Sequence, residues 1–292
     1  MNFIDFSHFN QPICQPLQSC SHLPEYPGVK MFLKFWIKTF FLKFPLYRTR
    51  QMRAWSRLTD PQYNHDRDKH PVRHKHHGKG GWQSASRDGI TSRDYTDYAE
   101  YLTHQKTKWD EMIKSKGGLD SKTLIDYRYR FFRRFSHLCT LLPRDAKILC
   151  LGARQGTEVE VLRDLGLQDA WGIDLNPGPE NPFVKPGDFM HLEAPDHSLD
   201  LIYSNCVDHA FDLDGFFREH ARALKPNGLA LYDLSLGSES SSTMAGPFEA
   251  VSWEREELIF LMLLKHFRSV IKVERESGWM WILLQGTVEN SQ

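Results

Sequence analysis

Short apolar runs alternate with helical patterns through the second half of the chain. The apolar runs cover residues 147–151, 170–174, 199–204 and 229–234. The segments with helical spacing lie near residues 157–165, 213–224 and 253–265. Strands that alternate with helices favour parallel strands joined by helical crossovers, so the pattern predicts an open α/β sheet. The final stretch, SVIKVERESGWMWILLQG, reads as two strands around Ser277 and Gly278 and predicts a terminal antiparallel hairpin.

Helical patterns also precede the first apolar run. Residues 95–116 and 121–138 are predicted to be helical. Four residues of the second segment share helical spacing: Leu124, Tyr127, Phe131 and Phe135. We interpret them as core or lid contacts rather than as a cofactor motif. The pattern therefore predicts one domain over residues 95–292, with lid helices at 95–138.

Residues 1–94 differ from the rest and are predicted to be an N-terminal extension, helical or irregular. Within them, residues 30–59 hold eight Lys and Arg and no acid, interleaved with Phe and Trp. On a helix, Lys30, Lys34 and Lys38 form a stripe beside aromatic residues. Two interpretations remain open: a helix packed on the domain with solvated lysines, or an interfacial helix on an anionic membrane.

Residues 60–94 contain closely spaced histidines among charged residues, followed by the flexible stretch GKGG. The histidines are His65, His70, His74, His76 and His77. No cysteine or flanking fold fixes their geometry, so the segment favours a solvated loop over a metal site. We expect no bound metal.

The 292-residue chain has an ordinary globular composition, with 40% hydrophobic and 25% charged residues. Its 37 basic residues balance its 37 acidic residues, so no global charge draws it to nucleic acid. Five scattered cysteines favour a reducing compartment. No apolar run approaches the ~20 residues of a membrane-spanning helix. We expect a cytoplasmic protein, with residues 30–59 as the candidate for peripheral membrane contact.

The segment ILCLGARQGTE, residues 148–158, joins the first predicted strand of the sheet to its first helix. In an open parallel sheet the ligand crevice lies beyond the carboxyl ends of the strands. Gly152 permits a sharp turn and close backbone approach, and Gly156 lets the helix begin against a ligand. Thr157 and Glu160 fit a capping box, and the amides of the helix start favour an anionic group.

This turn departs from two common nucleotide-binding motifs. The dinucleotide motif G-x-G-x-x-G needs glycine where Arg154 and Thr157 stand. The P-loop needs G-x-x-x-x-G-K-[ST], and GARQGTE has neither that spacing nor the lysine. The sequence therefore argues against both a dinucleotide site and a P-loop nucleotide hydrolase.

Polar residues follow the later strands on the same side of the predicted sheet. Asp174 ends the strand AWGIDL, 22 residues beyond Gly152, and can accept both hydroxyls of an unphosphorylated ribose. Asp188, in PGDF, can accept an amino hydrogen from adenine. The stretch SNCVDHAF then supplies Asn205, Asp208 and His209. The next helix stops at LKPNG, a turn that leads into another strand.

In the order and spacing of these features, residues 145–235 resemble a class I S-adenosylmethionine-dependent methyltransferase, close to the type 11 group. The matching stretches are CLGARQG, Asp174, GDF, SNCVDHAF and LKPNG. The resemblance implies a Rossmann-like, mostly parallel seven-stranded sheet with a C-terminal antiparallel hairpin, and S-adenosylmethionine as cofactor. It assigns donor binding to Gly152, Ala153, Gly156, Asp174, Leu175, Asp188, Phe189 and Asn205.

Two residues depart from the family pattern. Cys150 stands where the family usually has an acidic residue, and Arg154 stands where it usually has glycine. Arg154 would either clash with the donor or turn outward and help to hold an acceptor. Two hypotheses therefore remain: an active methyltransferase, and a catalytically inactive methyltransferase-like binding or scaffold protein.

Methyl transfer places few chemical demands on the protein, because the methyl group is displaced in line and the main task is positioning. For a hydroxyl acceptor, His209 is the candidate base, since it follows a strand end that faces the crevice. The structural alternative for His209 is a helix cap or a backbone contact, and His104 is a candidate for closing over the site. SNCV in place of an NPPY-like motif argues against nucleic-acid bases, so we expect a small-molecule, glycan or lipid-linked acceptor.

Overall fold

The computed structural model describes most of the chain from residue 84 onward. The described ranges are 84–87, 89–116, 121–178, 181–236, 248–276 and 279–288. The basic aromatic segment 30–59 and the five closely spaced histidines lie outside these residues, so the structure carries no information on either interpretation of that segment. Among the described residues, no helix has the length and apolar character needed to cross a membrane.

The described residues form ten strands and five α-helices. The strands are β1 (Ser84–Arg87), β2 (Ile90–Arg93), β3 (Ile148–Leu151), β4 (Ala170–Asp174), β5 (Val184–Pro186), β6 (Leu199–Ser204), β7 (Leu224–Ser235), β8 (Val251–Trp253), β9 (Phe267–Glu276) and β10 (Trp279–Thr287). The α-helices are α1 (Tyr98–Lys116), α2 (Ser121–Phe135), α3 (Thr157–Asp164), α4 (Leu213–Ala223) and α5 (Glu256–His266). Short 3-10 turns follow α2 and β6, at Ser136–Thr140 and Val207–His209.

Seven strands form the main sheet, in the order β5, β4, β3, β6, β7, β10, β9. The pairs from β5 to β7 are parallel, and β10 runs antiparallel to both β7 and β9. The predicted mostly parallel sheet with its C-terminal antiparallel hairpin is therefore confirmed. The chain enters at β3, builds outward to β5 and then returns to β6 on the other side of β3. A crevice opens at such a reversal, beyond the carboxyl ends of the two strands.

The central strand β3 explains why the sheet is covered on both faces. All four of its residues are buried. Leu149 and Leu151 belong to one hydrophobic cluster, whereas Ile148 and Cys150 belong to the other. Because side chains alternate across a strand, an uninterrupted apolar run is the pattern of a strand with a core on each side. Cys150, the departure from the family pattern, is therefore a buried core residue.

Helix α2 packs on the sheet through buried arginines as well as aromatic rings. Arg134 donates to the carboxylate of Asp233 on β7 at 2.9 Å, and both side chains are almost fully buried. Arg128 bonds Glu160 and Asp164 of α3 at 2.7 Å each. Buried charges in proteins need such partners. These pairs fix α2 against both the sheet and α3.

Helix α1 lies across the carboxyl end of β6. The side chain of Tyr101 is fully buried, and its hydroxyl donates to the carbonyl oxygen of His209 at 2.9 Å. Rings of Tyr95, Tyr98 and Phe211 surround it, with centroid separations of 5.2–5.5 Å from Tyr101. The contacts place one face of α1 directly over the strand-end crevice.

A small second sheet contains β1, β2 and β8, all antiparallel. Strands β1 and β2 form a hairpin at the C-terminal end of residues 60–94, for which the sequence predicts a solvated loop. The loop prediction is therefore wrong for the two strands. The hairpin pairs with β8, which comes some 160 residues later in the chain. A contact over that separation gives no local sequence signal.

Candidate active site

The turn after β3 has the backbone conformation that its two glycines suggest. Gly152 has a φ of 62° and Gly156 a φ of 81°, both in the left-handed region. A Cβ atom on Gly152 would lie 2.7 Å from the Sγ of Cys206, and one on Gly156 would lie 2.6 Å from the Cβ of Phe183. Both positions therefore require glycine for conformation and for space.

Arg154 adopts a left-handed conformation without being glycine, with a φ of 48°. This conformation costs an ordinary residue roughly 1–2 kcal/mol. Backbone strain of this kind is concentrated at functional sites. The turn therefore holds Arg154 in a conformation that the family's usual glycine would adopt at lower cost.

The predicted capping box is not formed. Gly156 is the N-cap of α3, and the N-terminus of the helix has no side-chain cap. Glu160, the expected second member of the box, bonds Arg128 of α2 instead. The interhelical ion pair replaces the local hydrogen bond, because the guanidinium of Arg128 is fully buried and needs acceptors.

Asp174 braces the glycine turn from the end of β4. One carboxylate oxygen accepts from the backbone N–H of Arg154 at 3.0 Å, and the other accepts from the N–H of Asn176 at 2.9 Å. A carboxylate oxygen has further lone pairs, so these two bonds leave acceptor capacity for hydroxyl groups. The carboxylate and the turn thus meet at the edge of the crevice.

A narrow cavity of about 10 Å³ lies at this point. Its lining residues are Tyr127, Phe131, Gly152, Ala153, Arg154, Gln155, Thr157, Glu158 and Asn205. The side chain of Arg154 lies inward, toward Tyr127, Glu158 and Asp174. The outward orientation that would hold an acceptor is therefore not the one present. A nucleoside ligand would have to shift the Arg154 side chain.

Glu158 is the buried acid of this cavity. Only 5% of the residue is exposed. Burial raises the pKa of its carboxyl to about 8, although its own backbone N–H and Arg154 act to lower it. A carboxyl group that is costly to ionise therefore faces a guanidinium that stays protonated.

His209 lies in a polar cluster beneath α1. Its Nδ1 lies 3.0 Å from the carbonyl oxygen of Phe248 and 3.0 Å from the Oε1 of Gln105. Its Nε2 lies 2.6 Å from the Nζ of Lys108. Because a carbonyl can only accept, Nδ1 carries the proton and Nε2 accepts from the lysine. Burial, Lys108 and Arg154 hold the pKa of His209 well below its usual range.

The groups that titrate closest to neutrality in this cluster are its neighbours. Burial and the charge of Arg154 lower the pKa of Lys108 to about 8. Burial and the nearby carboxylate of Glu249 raise the pKa of Asp208 to about 6. The ligand atoms of Asp208, His209 and Glu249 lie within 4.8 Å of one another, and the Nζ of Lys108 supplies a positive charge beside them.

The predicted donor-binding residues lie at four places in the structure. Gly152, Ala153 and Asn205 line the cavity, Gly156 caps α3, and Asp174 braces the turn. Leu175 follows Asp174 and is half-buried. Asp188 and Phe189 do not line the cavity. Asp188 accepts from the hydroxyl of Tyr98 at 2.5 Å, and Phe189 packs against Phe216.

The sequence analysis assigned no ligand-binding or catalytic role to three residues of the site: Lys108, Tyr127 and Glu158. Glu158 follows the glycine turn directly, so the inward side of α3 gives it a local signal. Lys108 and Tyr127 come from helices that precede the sheet, and only tertiary packing places them in the crevice. His104, the proposed closing residue, bonds the hydroxyl of Tyr95 at 2.9 Å and stacks on Phe248.

Comparison with known proteins agrees with this geometry. Residues 149–232 match a family described as a methyltransferase domain. A segment of 48 residues is 48% identical to sterol 24-C-methyltransferase erg6 of Aspergillus fumigatus, and the match covers 16% of this chain and 12% of that protein. The chain therefore spans only a small part of the curated relative that it matches.

Solved structures share the fold at low sequence identity. One is the Burkholderia thailandensis 1,6-didemethyltoxoflavin-N1-methyltransferase with bound 1,6-didemethyltoxoflavin and S-adenosylhomocysteine. It has a TM-score of 0.51 and 15% identity, over 70% of this chain and 99% of that one. Another is a chain of the complex between the Haloferax volcanii Trm112 methyltransferase activator and a methyltransferase. Its TM-score is 0.50 at 14% identity, over 64% of this chain and 100% of that one.

Proposed function

Since this chain carries a class I S-adenosylmethionine-dependent methyltransferase domain, we propose that it transfers the donor's methyl group to a small-molecule, glycan or lipid-linked acceptor. The observation that carries the proposal is the carboxylate of Asp174 held against the Gly152 turn, at the point where the strand order reverses. A ribose acceptor beside a close backbone approach is the chemistry that an adenosyl group needs.

Donor binding is assigned to residues on both sides of β3. Asp174 and Leu175 on the β4 side hold the ribose, and Asp188 and Phe189 receive the adenine. Gly152, Ala153, Gly156 and Asn205 complete the site along the turn and the end of β6. The bound donor supplies an electrophilic methyl group on a sulfonium, and the protein's contribution is to orient it and to exclude water.

Removal of a proton from the acceptor is assigned to Lys108, and His209, the base that the sequence suggested, positions the lysine. The two share a 2.6 Å contact, and Lys108 has a pKa of about 8. A base is most effective when its pKa lies near the working pH. Neutral Lys108 therefore takes the acceptor's proton, and His209 orients the lysine through Nε2.

The charge balance and the names of the relatives support the proposed acceptor class. The chain has no net charge, which does not favour a nucleic-acid acceptor. A relative is named a sterol 24-C-methyltransferase, and a structural neighbour is named a 1,6-didemethyltoxoflavin-N1-methyltransferase. We place the protein in the cytoplasm as one domain over residues 95–292, with residues 30–59 as a peripheral membrane contact. An activator protein of the Trm112 kind is a further candidate partner.

Calorimetric titration with S-adenosylmethionine and S-adenosylhomocysteine tests the proposal. The wild type should bind both, and Asp174→Asn should lose at least ~10-fold in affinity because a charged acceptor is removed. Asp196→Asn, at an exposed carboxylate that pairs with Arg222, is the matched control and should bind as the wild type does.

Absence of binding at millimolar donor would overturn the proposal and support the inactive scaffold instead. Where binding is found, incubation with methyl-labelled donor and cell extract identifies the acceptor as the molecule that gains the label. Labelled nucleic acid would contradict the assigned acceptor class.

A further inference from the structure

The polar cluster beneath α1, formed by Lys108, Asp208, His209 and Glu249, contains a carboxylate oxygen that lacks a donor. Oε2 of Glu249 is buried and has no hydrogen-bond partner among the residues that the structure describes. A buried acceptor atom without a donor costs about 1–3 kcal/mol. Such an atom in a folded protein requires a specific explanation, and a bound ligand is one.

The backbone around Glu249 is held in place independently of its carboxylate. The N–H of Ala250 donates to the carbonyl oxygen of Asp208 at 2.8 Å. The Nε of Arg93 donates to the carbonyl oxygen of Glu249 at 3.1 Å. Because these backbone contacts fix the segment without the side chain, a structural role does not explain why an acid stands at this position.

The polar cluster carries more negative than positive charge. The ligand atoms of Asp208, His209 and Glu249 lie within 4.8 Å of one another. Burial and the charge of Glu249 raise the pKa of Asp208 only to about 6, so its carboxyl is mostly ionised at pH 7. Burial and Lys108 hold the pKa of His209 well below its usual range, so the imidazole stays neutral. Two carboxylates therefore face the single amine of Lys108, and the cluster favours a ligand that is cationic and donates hydrogen bonds.

The polar cluster adjoins the crevice to which the donor is assigned. Asn205 lines the cavity at the glycine turn, and Asp208 and His209 follow it along the same segment after β6. The charge of Arg154 in that cavity acts on both Lys108 and His209. The side chain of Asp208 is 22% exposed, so solvent reaches the cluster. A molecule bound there would lie next to the donor.

We infer that the methyl acceptor is an amine that enters the polar cluster as an ammonium group, with the carboxylates of Asp208 and Glu249 as its binding partners. The inference rests on the proposed function and narrows its acceptor class. The sulfonium of the donor is itself positive, so a cationic acceptor beside it is repelled unless negative charge lies nearby. The two carboxylates supply that charge.

The polar cluster also accounts for the proton that an ammonium acceptor must lose. A protonated nitrogen has no lone pair with which to attack a methyl group. Neutral Lys108 takes one proton from the ammonium group, and the freed lone pair forms the new N–CH3 bond. The C–S bond of the donor breaks at the same time, and its electron pair returns to sulfur. The methylated nitrogen is again positive, and Asp208 and Glu249 balance its charge.

The binding of two probes of similar shape but different charge tests the inference. Benzylamine carries an ammonium group at neutral pH, and benzyl alcohol is its uncharged counterpart. The full-length wild type, saturated with S-adenosylhomocysteine, should bind benzylamine at least ~10-fold more tightly than benzyl alcohol, because hydrogen bonds to charged groups are the stronger ones. Ligand-observed NMR titration measures both affinities. Equal affinities, or no binding of benzylamine at millimolar concentration, would overturn the inference.

Near-isosteric variants assign the preference to the two carboxylates. Glu249→Gln and Asp208→Asn each remove a charge with little change of shape, so each should reduce the preference for benzylamine at least ~5-fold. Their affinity for S-adenosylhomocysteine should stay unchanged, which also reports that they are folded. Asp196→Asn, at an exposed carboxylate that pairs with Arg222, is the matched control and should keep the full preference. A preference that survives in both cluster variants contradicts the assignment.

The chemical class of the methylated product provides a second measurement that needs no variant. After incubation with methyl-labelled donor and cell extract, the label should appear in a methylated amine that a cation exchanger retains at neutral pH. Label in a neutral ether or ester overturns the inference and leaves the methyltransferase assignment standing. A wild type that binds no S-adenosylhomocysteine, or that labels nothing in the extract, overturns the proposed function and the inference with it.

Discussion

The Nζ of Lys108 lies 2.6 Å from the Nε2 of His209, so one hydrogen bond joins α1 to the segment that follows β6. The lysine is partly buried, and this burial together with the charge of Arg154 lowers its pKa to about 8. In the unfolded chain the amine titrates near its ordinary value of about 10.4. Between about pH 8 and pH 10.4, folding therefore removes a proton from the amine of Lys108.

The first prediction is a rise in stability with pH between about 8 and 10. There the unfolded state binds more protons at Lys108 than the folded state does, so the free energy of unfolding rises by up to about 1.4 kcal/mol per pH unit. Lys108→Met should flatten that slope. Urea unfolding of both proteins at pH 8, 9 and 10 measures it, and equal slopes would contradict the assignment of a lowered pKa to Lys108.

The second prediction concerns stability in acid. His220 is fully buried between the hydroxyl of Tyr232 and the carbonyl oxygen of Phe189, and burial lowers its pKa to about 3. Below about pH 6.5 His220 becomes protonated in the unfolded chain but stays neutral in the folded protein. The free energy of unfolding therefore falls as pH falls. This loss approaches about 1.4 kcal/mol per pH unit until the folded pKa is reached.

Substitution of His220 isolates this contribution. His220→Asn should be less stable at pH 7, since it loses a buried hydrogen bond, but its stability should fall less steeply from pH 6.5 to 5. His191→Asn, at an exposed histidine, should keep the wild-type slope. Denaturant unfolding across this pH range decides the matter, and a His220→Asn slope equal to that of the wild type would exclude His220 as the titrating group.

The sheet and its glycine turn could be predicted because their signals are local. A continuous apolar run specifies β3, and Gly152 and Asp174 follow strand ends at a recognisable spacing. The docking of Lys108 and Tyr127 could not be predicted, because contacts between distant helices and the sheet depend on packing rather than on neighbouring residues. The predicted capping box is absent for the same reason. Glu160 bonds Arg128 of a distant helix instead of a backbone N–H at the start of its own helix.

The third prediction concerns the buried ion pair of Arg134 and Asp233. Arg134→Met should destabilise the protein by about 3–5 kcal/mol, because it leaves a buried carboxylate without its guanidinium. The double variant Arg134→Met with Asp233→Leu should recover much of the loss, since it removes the uncompensated charge. Urea unfolding measures both.

A surface pair provides the comparison for this experiment. Lys225 bonds Asp200 at 2.7 Å with the lysine side chain 46% exposed, so Lys225→Met should cost less than about 1 kcal/mol. If Arg134→Met costs no more than Lys225→Met, the pair does not anchor α2 to the sheet.

The fourth prediction connects the conformation of the glycine turn to donor binding. Gly152 and Gly178 both have positive φ values, 62° and 79°, so alanine at either position pays a similar backbone cost of about 1–2 kcal/mol. They differ in their surroundings. A Cβ on Gly152 meets the Sγ of Cys206 at 2.7 Å, whereas one on Gly178 meets nothing within 4 Å. Gly152→Ala should therefore be the less stable variant, and it should weaken S-adenosylhomocysteine at least ~10-fold because the turn must shift.

Combination with Cys206→Ala distinguishes the clash from the backbone strain. Removing the sulfur relieves the closest contact of the new Cβ and leaves φ unchanged, so the double variant should regain part of the stability that Gly152→Ala loses. Gly178→Ala should bind the ligand as the wild type does, since its side chain enters open space. Equal losses in Gly152→Ala and Gly178→Ala would mean that conformation alone sets the requirement for glycine. The close contact between the turn and Cys206 would then play no part in shaping the donor site.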